Sequence, residues 1–261
     1  MLSPDVVAAI AAELAEADRA HAVIPRITAR HPDATVEDAY AIQGVWRDRM
    51  LATGRRLVGR KIGLTSKAMQ RATGIAEPDY GVMFDDTVHP SGAEIPVDLF
   101  SNVRIEVELA FVLATPLEGP DCSLPDVLEA TGQVVPALEV LNSHIELEGR
   151  TIVDTISDNA AYGAMVLGGT RRHPEEVDLR WVPGLLYRNG VIEETGVAAG
   201  VLDHPARGVA WLANKLHHHG ARLEAGEIIL AGSFTRPLWV SRGDEVLADY
   251  GPMGTVTCHF V

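Results

Sequence analysis

The sequence predicts a mixed α/β protein built on a rolled or barrel-like β-sheet. Three observations predict it: many short apolar runs that alternate like strands, few stretches with helical periodicity, and glycines at the corners between runs. With 261 residues and 47% hydrophobic content, the chain can bury a sizeable core, as one large domain or as a domain with a smaller appendage. The net charge of -14 argues against a nucleic-acid surface, which would be basic, and gives no reason to expect attachment to an anionic membrane. Cys122 and Cys258 lie far apart and form no C-x-x-C, so neither a disulfide framework nor a zinc ribbon is indicated. No basic stretch followed by an apolar core opens the chain, and no apolar run reaches membrane-spanning length. A reduced, cytoplasmic, soluble protein is expected.

Residues 4–18 read as a helix, with Ser3 as cap, Pro4 in the first turn and Val6, Ile10 and Leu14 at helical spacing. A second helix starts near Thr35, where Thr35-x-x-Asp38 resembles a capping box. Ala39, Ile42, Trp46 and Met50 form its stripe, and Gly54 stops it. Leu57 to Leu64 reads as a strand with two glycines, a pattern that marks close approach by another backbone or a ligand. Thr65-Ser66 can cap a helical turn carrying Lys67, Met69 and Gln70, and Glu77 to Gly81 is a turn by composition.

Arg104 to Leu113 is the central strand. Ile105, Val107 and Leu109 point one way, and Glu106, Glu108 and Ala110 the other. A loop over Leu117–Pro125 and a short helical piece over Asp126–Thr131 follow. Gln133 to Leu141 is another apolar run, in which Pro136 indicates an edge, a strand start or a bulge. Residues 142–160 are polar. Ala164–Leu167, Leu179–Trp181, Gly184–Arg188 and Val191–Glu193 read as short strands, with Asn189-Gly190 as a hairpin turn. His204-Pro205 opens a helix with Val209, Leu212, Ala213 and Leu216 on its face, closed by Gly220. Ile228–Thr235, Val246–Tyr250 and Thr255–Val261 complete the strands.

The chemistry concentrates on carboxylates. Glu106 and Glu108, at i and i+2 on one strand face, have Cα atoms roughly 6.5–7 Å apart, close enough for both side chains to meet one ion. The alternative is a solvated second face. Glu139 is isolated among Leu138, Val140 and Leu141, so it is either paired or bound to a metal. An all-oxygen set of this kind suits Mg²⁺ or Mn²⁺ better than zinc. Lys61 sits mid-strand, where a solvated edge lysine and a functional one both remain open. His217, His218 and His219 face different directions on a helix, so a solvated helix end accounts for them better than a metal site. Neither a G-x-G-x-x-G nor a G-K-[ST] phosphate loop nor a G-x-S-x-G elbow occurs, and Cys122 has no indicated partner histidine.

Five segments taken together are familiar: Gly59–Ser66, Glu77–Gly81, Arg104–Ala110, Pro136–Glu139 and Asp154–Asn159. They resemble the hydratase/decarboxylase family of aromatic meta-cleavage pathways, within the fumarylacetoacetase-like superfamily. The similarity runs over nearly the whole chain, and Arg188–Gly200, Gly208–Lys215 and Gly232–Pro237 resemble one of the hydratases in particular. The resemblance implies a fumarylacetoacetase C-terminal-like rolled mixed sheet over 86–261, behind a smaller helical N-terminal region over 1–85 that contributes to the site. It also implies Mg²⁺ on Glu106, Glu108 and Glu139, an active-site lysine and aspartate at Lys61 and Asp79, and homo-oligomers that are often decamers built from dimers.

The expected reaction is hydration of an unsaturated 2-oxo diacid. Arg104, Asn159, Ser233 and Arg236 are candidate contacts to it, Arg104 standing equally as a structural ion-pair partner. Asp79 points to the hydratase branch, because the sister decarboxylases tend to carry an apolar residue there. The rivals are a hydratase for a C5 monoacid, a 4-oxalocrotonate-type decarboxylase, an acylpyruvate hydrolase, and a non-enzymatic scaffold for a partner decarboxylase. The segment between Leu141 and Asp154 departs from the family by being short, which bears on the choice of diacid.

Overall fold

The computed structural model describes residues 1–67, 70–71, 75 and 77–261. Met69, expected on a helical turn, lies outside them, whereas Lys67 and Gln70 are helical. The fold is mixed α/β with two sheets. The larger runs β2-β1-β10-β5-β6-β7-β3, with β11 also on β5, and the smaller runs β4-β13-β12-β8-β9. The strands of the larger sheet are β1 (Leu57–Gly63), β2 (Asp79–Phe84), β3 (Val88–Pro90), β5 (Arg104–Leu113), β6 (Thr131–Leu141), β7 (Tyr162–Leu167), β10 (Ile228–Leu230) and β11 (Leu238–Trp239). The smaller sheet comprises β4 (Ala93–Ile95), β8 (Pro183–Arg188), β9 (Val191–Val197), β12 (Glu245–Asp249) and β13 (Thr255–Phe260). Ile105, Val107, Leu109 and Phe111 of β5 join Val246, Ala248, Val256 and Phe260 of the smaller sheet in the main core. The odd-numbered face of β5 is therefore wholly apolar, as its alternation requires.

Helix α1 (Pro4–Ala20) is capped by Ser3, and α3 (Val36–Ala52) carries the capping box between Thr35 and Asp38. Their apolar stripes close over Val82 and Phe84 of β2 and Leu57 of β1. Two short helices were not expected, α2 (Ile27–Arg30) and α5 (Ile152–Ser157). Each of them is shorter than two turns, so neither leaves a periodic signature. Helix α4 covers Leu124–Ala130, and α6 covers Pro205–His217, where His204 accepts the Ala206 N–H.

Four local expectations change. Glu77–Gly81 is not a free turn: Asp79, Tyr80 and Gly81 pair antiparallel with Gly63, Ile62 and Lys61, so tertiary pairing overrides turn composition. Leu179–Trp181 is a 3₁₀ turn. The strand at Ile228 ends at Leu230, because Gly232 (φ +116°) turns its N–H toward Glu108. Strand β6 lies inside the sheet despite Pro136. Leu109, opposite Pro136, gives its carbonyl to the Ala231 N–H, so the backbone groups of this pair face away from each other. Pro136 then faces β7, whose ladder begins only at Ala137, and no donor is required of it. Among the described residues, no helix is long and apolar enough to cross a membrane.

Candidate metal centre and catalytic pocket

Register brings the candidate residues together. Cross-strand partners share a sheet face, and so do residues two apart on one strand. Glu106 is opposite Glu139 on β6, and Ala110 is opposite Leu230 on β10. Leu230 in turn is opposite Lys61 on β1, which pairs with Gly81, two residues from Asp79. Glu106, Glu108, Glu139, Lys61 and Asp79 therefore project from one face of one sheet.

One carboxylate oxygen from each of Glu106, Glu108 and Glu139 lies within 4.8 Å of the others. Glu139 is 0% exposed and Glu108 1%. The Gly232 N–H donates to Glu108 Oε2 at 2.9 Å. Glu139 Oε1 lies 3.1 Å from Lys61 Nζ, yet neither Glu139 oxygen has a well-formed hydrogen bond. Burial, and then repulsion from Glu139, pushes the Glu106 carboxyl up to about 7. Burial followed by Glu139 and Glu106 lifts Glu108 well above the usual carboxylate range. Burial lifts Glu139 too, against the pull of Lys61. Three carboxylates this close, Glu108 and Glu139 buried and Glu106 half-buried, cannot all ionise cheaply without a cation. An all-oxygen, partly orphaned donor set of this charge fits a hard divalent ion such as Mg²⁺ or Mn²⁺.

Lys61 is buried, and its ammonium donates to the Ala160 carbonyl at 2.9 Å. Burial alone would lower it, but Glu139, Asp79, Glu106 and Glu108 together outweigh burial and hold it above its ordinary value. Asp79 is 1% exposed and neither oxygen has a hydrogen-bond partner. Burial raises its carboxyl, opposed by the charges of Lys61 and Arg150. The expectation attached to glycines in β1 is met at Gly59, where a Cβ would collide with the Ile228 backbone; at Gly63 the group in the way is the Asp79 carboxylate, a side chain.

Three consecutive non-glycine residues, Asn159, Ala160 and Ala161, have φ of 48°, 53° and 58°. Each L-residue in that region costs roughly 1 kcal/mol or more. The side chain of Asn159 holds the run in place. Its Oδ1 accepts the Val82 N–H at 2.7 Å, and its Nδ2 donates to the Val82 carbonyl at 2.9 Å. This closes the open edge of β2 and aims the Ala160 carbonyl at Lys61. Asn159 thus commits one amide N–H and one lone pair of its oxygen to the Val82 backbone.

The other expected contacts divide. Arg104 shares the glutamate face and is half-buried, with Nε and one terminal nitrogen unpartnered. The Ser233 hydroxyl is engaged by the Thr235 carbonyl of its own turn and the Val107 carbonyl of β5. Arg236 is not brought to the site: its guanidinium is exposed and pairs with Glu194 at 2.8 Å. His217–His219 form an exposed helix end, and Cys122 and Cys258 are buried, free thiols. Two groups beside the site, the Gly232 N–H and Arg150, had no local signal, and the Ala160 carbonyl had only the polar run ending in Asn159.

A separate hollow of about 330 Å³ lies beneath α1 and has none of the glutamates in its wall. His144 in that wall holds Asp158 (Nδ1 to Oδ1, 2.8 Å) and Asp18 (Nε2 to Oδ1, 3.3 Å).

Residues 57–261 match the model of the fumarylacetoacetate hydrolase C-terminal family, and the chain belongs to that family. Over 258 residues, 97% of each chain, it is 55% identical to a 2-oxo-hept-4-ene-1,7-dioate hydratase of Escherichia coli. It is 40% identical over 229 residues, 88% of this chain and 85% of the other, to a 2-keto-4-pentenoate hydratase of Paraburkholderia xenovorans. Its fold superposes on 4-oxalocrotonate decarboxylase from Pseudomonas putida G7, complexed with magnesium and adipate, with a TM-score of 0.97 at 34% identity, covering 100% of this chain and 99% of that one.

Proposed function

We propose that this chain is a divalent-metal-dependent hydratase, a carbon–oxygen lyase acting in homoprotocatechuate meta-cleavage degradation. It adds water to 2-oxohept-4-ene-1,7-dioate, through the tautomer 2-hydroxyhepta-2,4-dienedioate, to give 4-hydroxy-2-oxoheptanedioate. The observation that carries the reading is the largely buried three-glutamate cage beside an unpartnered Asp79, in a chain 55% identical to a hydratase named for that substrate.

Glu106, Glu108 and Glu139 hold the ion, Mg²⁺ with Mn²⁺ as a substitute. When bound, it supplies Lewis-acid stabilisation of the negative charge that gathers on the 2-oxo oxygen. The remaining chemistry is proton transfer. The 2-hydroxyl loses a proton and C5 gains one; water then adds at C4 and C3 is protonated. Each transfer needs a positioned acid or base, and Lys61 and Asp79 are the groups this chain offers. The raised carboxyl of Asp79 suits a group that must both hold and release a proton. The Ala160 carbonyl and Glu139 fix the Lys61 ammonium from two directions. Asn159 acts through that carbonyl as a positioning residue. Residues 1–85 thus supply Lys61 and Asp79 and the rest of the chain the glutamates, so we treat the N-terminal region as part of the catalytic unit.

The working form on this reading is a cytoplasmic homo-oligomer, with a decamer built from dimers and docking of a pathway decarboxylase as its larger assemblies. Exposed Leu99, Trp181, Val191, Ile192 and Trp239 support burial against other chains. Sedimentation tests it, and a monomer at micromolar concentration would contradict it.

The enzymatic test uses purified protein, 2-hydroxyhepta-2,4-diene-1,7-dioate and Mg²⁺. Diene absorbance should fall, with a product heavier by one water and loss of turnover on adding EDTA. Fold similarity alone does not separate hydratase from decarboxylase, so release of CO₂ in this assay would overturn the proposal.

A further inference from the structure

Arg104 and Arg150 make no direct ion pair among the described residues, although Glu106 and Glu139 attract Arg104 from beyond bonding distance. Among the described residues, no carboxylate oxygen lies within ion-pairing distance of either guanidinium. Arg104 leaves Nε and one terminal nitrogen buried and unbonded, with its guanidinium carbon 5.3 Å from the Trp239 ring centroid. Arg150 donates once, to the Ser143 hydroxyl at 3.0 Å, and that hydroxyl lies 3.1 Å from Asp158 Oδ2. Register brings the two groups to the same end of the sheet: Arg104 is opposite Leu141 on β6, two residues before the Ser143 whose hydroxyl holds Arg150. The buried, unpaired donors of Arg104 are costly, and a second positive charge at the same end of the sheet adds to that cost. What relieves both costs is an anion, and the planar guanidinium fork matches a carboxylate.

The position of the pair narrows that anion. Arg104 is two residues from Glu106 on the same face of β5, at the end of the strand away from Ala110. A three-carboxylate cage with a divalent ion, Lys61 and Asp79 is still formally negative, and so resists a dianion. The two guanidiniums reverse that locally.

We propose that Arg104 and Arg150 form a subsite for the second, distal carboxylate of a dicarboxylic 2-oxo acid, making this pair the determinant that favours diacids over monoacids. The inference rests on the hydratase reading for its substrate class but not for its test, because binding of unreactive saturated analogues reports on it directly. Arg150 lies in the segment between Leu141 and Asp154, so that segment provides half of the subsite.

The test is calorimetric binding of 2-oxoheptanedioate and 2-oxopentanoate to the Mg²⁺-loaded protein. Wild type should prefer the diacid by about 10- to 100-fold, the effect of one or two charge-assisted hydrogen bonds. Arg150→Gln and Arg104→Lys should each collapse that ratio. Arg150 is the safer site to change, because its guanidinium makes one hydrogen bond, and melting curves check that both variants fold. No diacid preference in wild type, or a preference that survives in folded Arg150→Gln, overturns the subsite. A preference present in wild type and lost in the variants, in a protein that fails to hydrate the diene, overturns the hydratase reading and keeps the subsite.

Discussion

The environment of Asp79 is what supports its proposed role. Its carboxyl is buried and orphaned, and the Lys61 and Arg150 charges only partly offset the desolvation. Asp79→Asn should lower kcat by about 10²- to 10⁴-fold in the diene assay while leaving the melting temperature level or higher, since an unpaired buried charge stabilises nothing. Unchanged kcat would remove Asp79 from the chemistry. Asn159→Ala deletes both bonds to Val82 and should destabilise by about 1–3 kcal/mol in urea titrations. It should also lower kcat more than it raises KM, because the Ala160 carbonyl loses its aim on Lys61. The glutamates were readable in the sequence because a charge inside an apolar alternation demands an explanation. Arg150 was not readable: it sits in a polar stretch, where an arginine demands none.

At the scale of elements, strand register does the assembling. The sequence shows that Glu106 and Glu108 share a face and that Glu139 is anomalous, but the pairing of Glu106 with Glu139 depends on ten residue pairs between β5 and β6. Pro136 misleads because a missing donor matters only where a ladder bond would fall. The turn-like composition at Glu77–Gly81 misleads because β1 and the Asn159 side chain supply the pairing that makes β2 a strand. A second device joins α1, the end of α5 and the turn after β6: His144 bridges Asp18 and Asp158. Burial would lower this imidazole, but its bonds to Asp158 and Asp18 raise it to about 10. A folded-state value above the unfolded one means the stabilisation is complete below about pH 6.5 and is lost as pH rises through about 10. Melting temperature should therefore fall across that window in wild type, and fall less in His144→Gln, which starts lower. Parallel pH profiles would show that the bridge does not carry that dependence.

Across the whole molecule, the cation joins what the sheet brings together. On the proposed reading, ligands from β5 and β6, with Lys61 and Asp79 from β1 and β2, place the two parts of the chain around one charge. An ion bound only by the folded state stabilises it by about 2.7 kcal/mol at a hundredfold excess over Kd, so Mg²⁺ should raise the melting temperature by several degrees and EDTA should reverse it. Initial rates of diene loss against Mg²⁺ concentration, for wild type and Glu139→Gln with circular dichroism on both, decide whether this cage is the catalytic centre. Wild type should show saturable activation and no turnover in EDTA, and the folded variant should lose about 10² or more of the rate at every Mg²⁺ level. A folded Glu139→Gln that turns over at the wild-type rate without metal would contradict it.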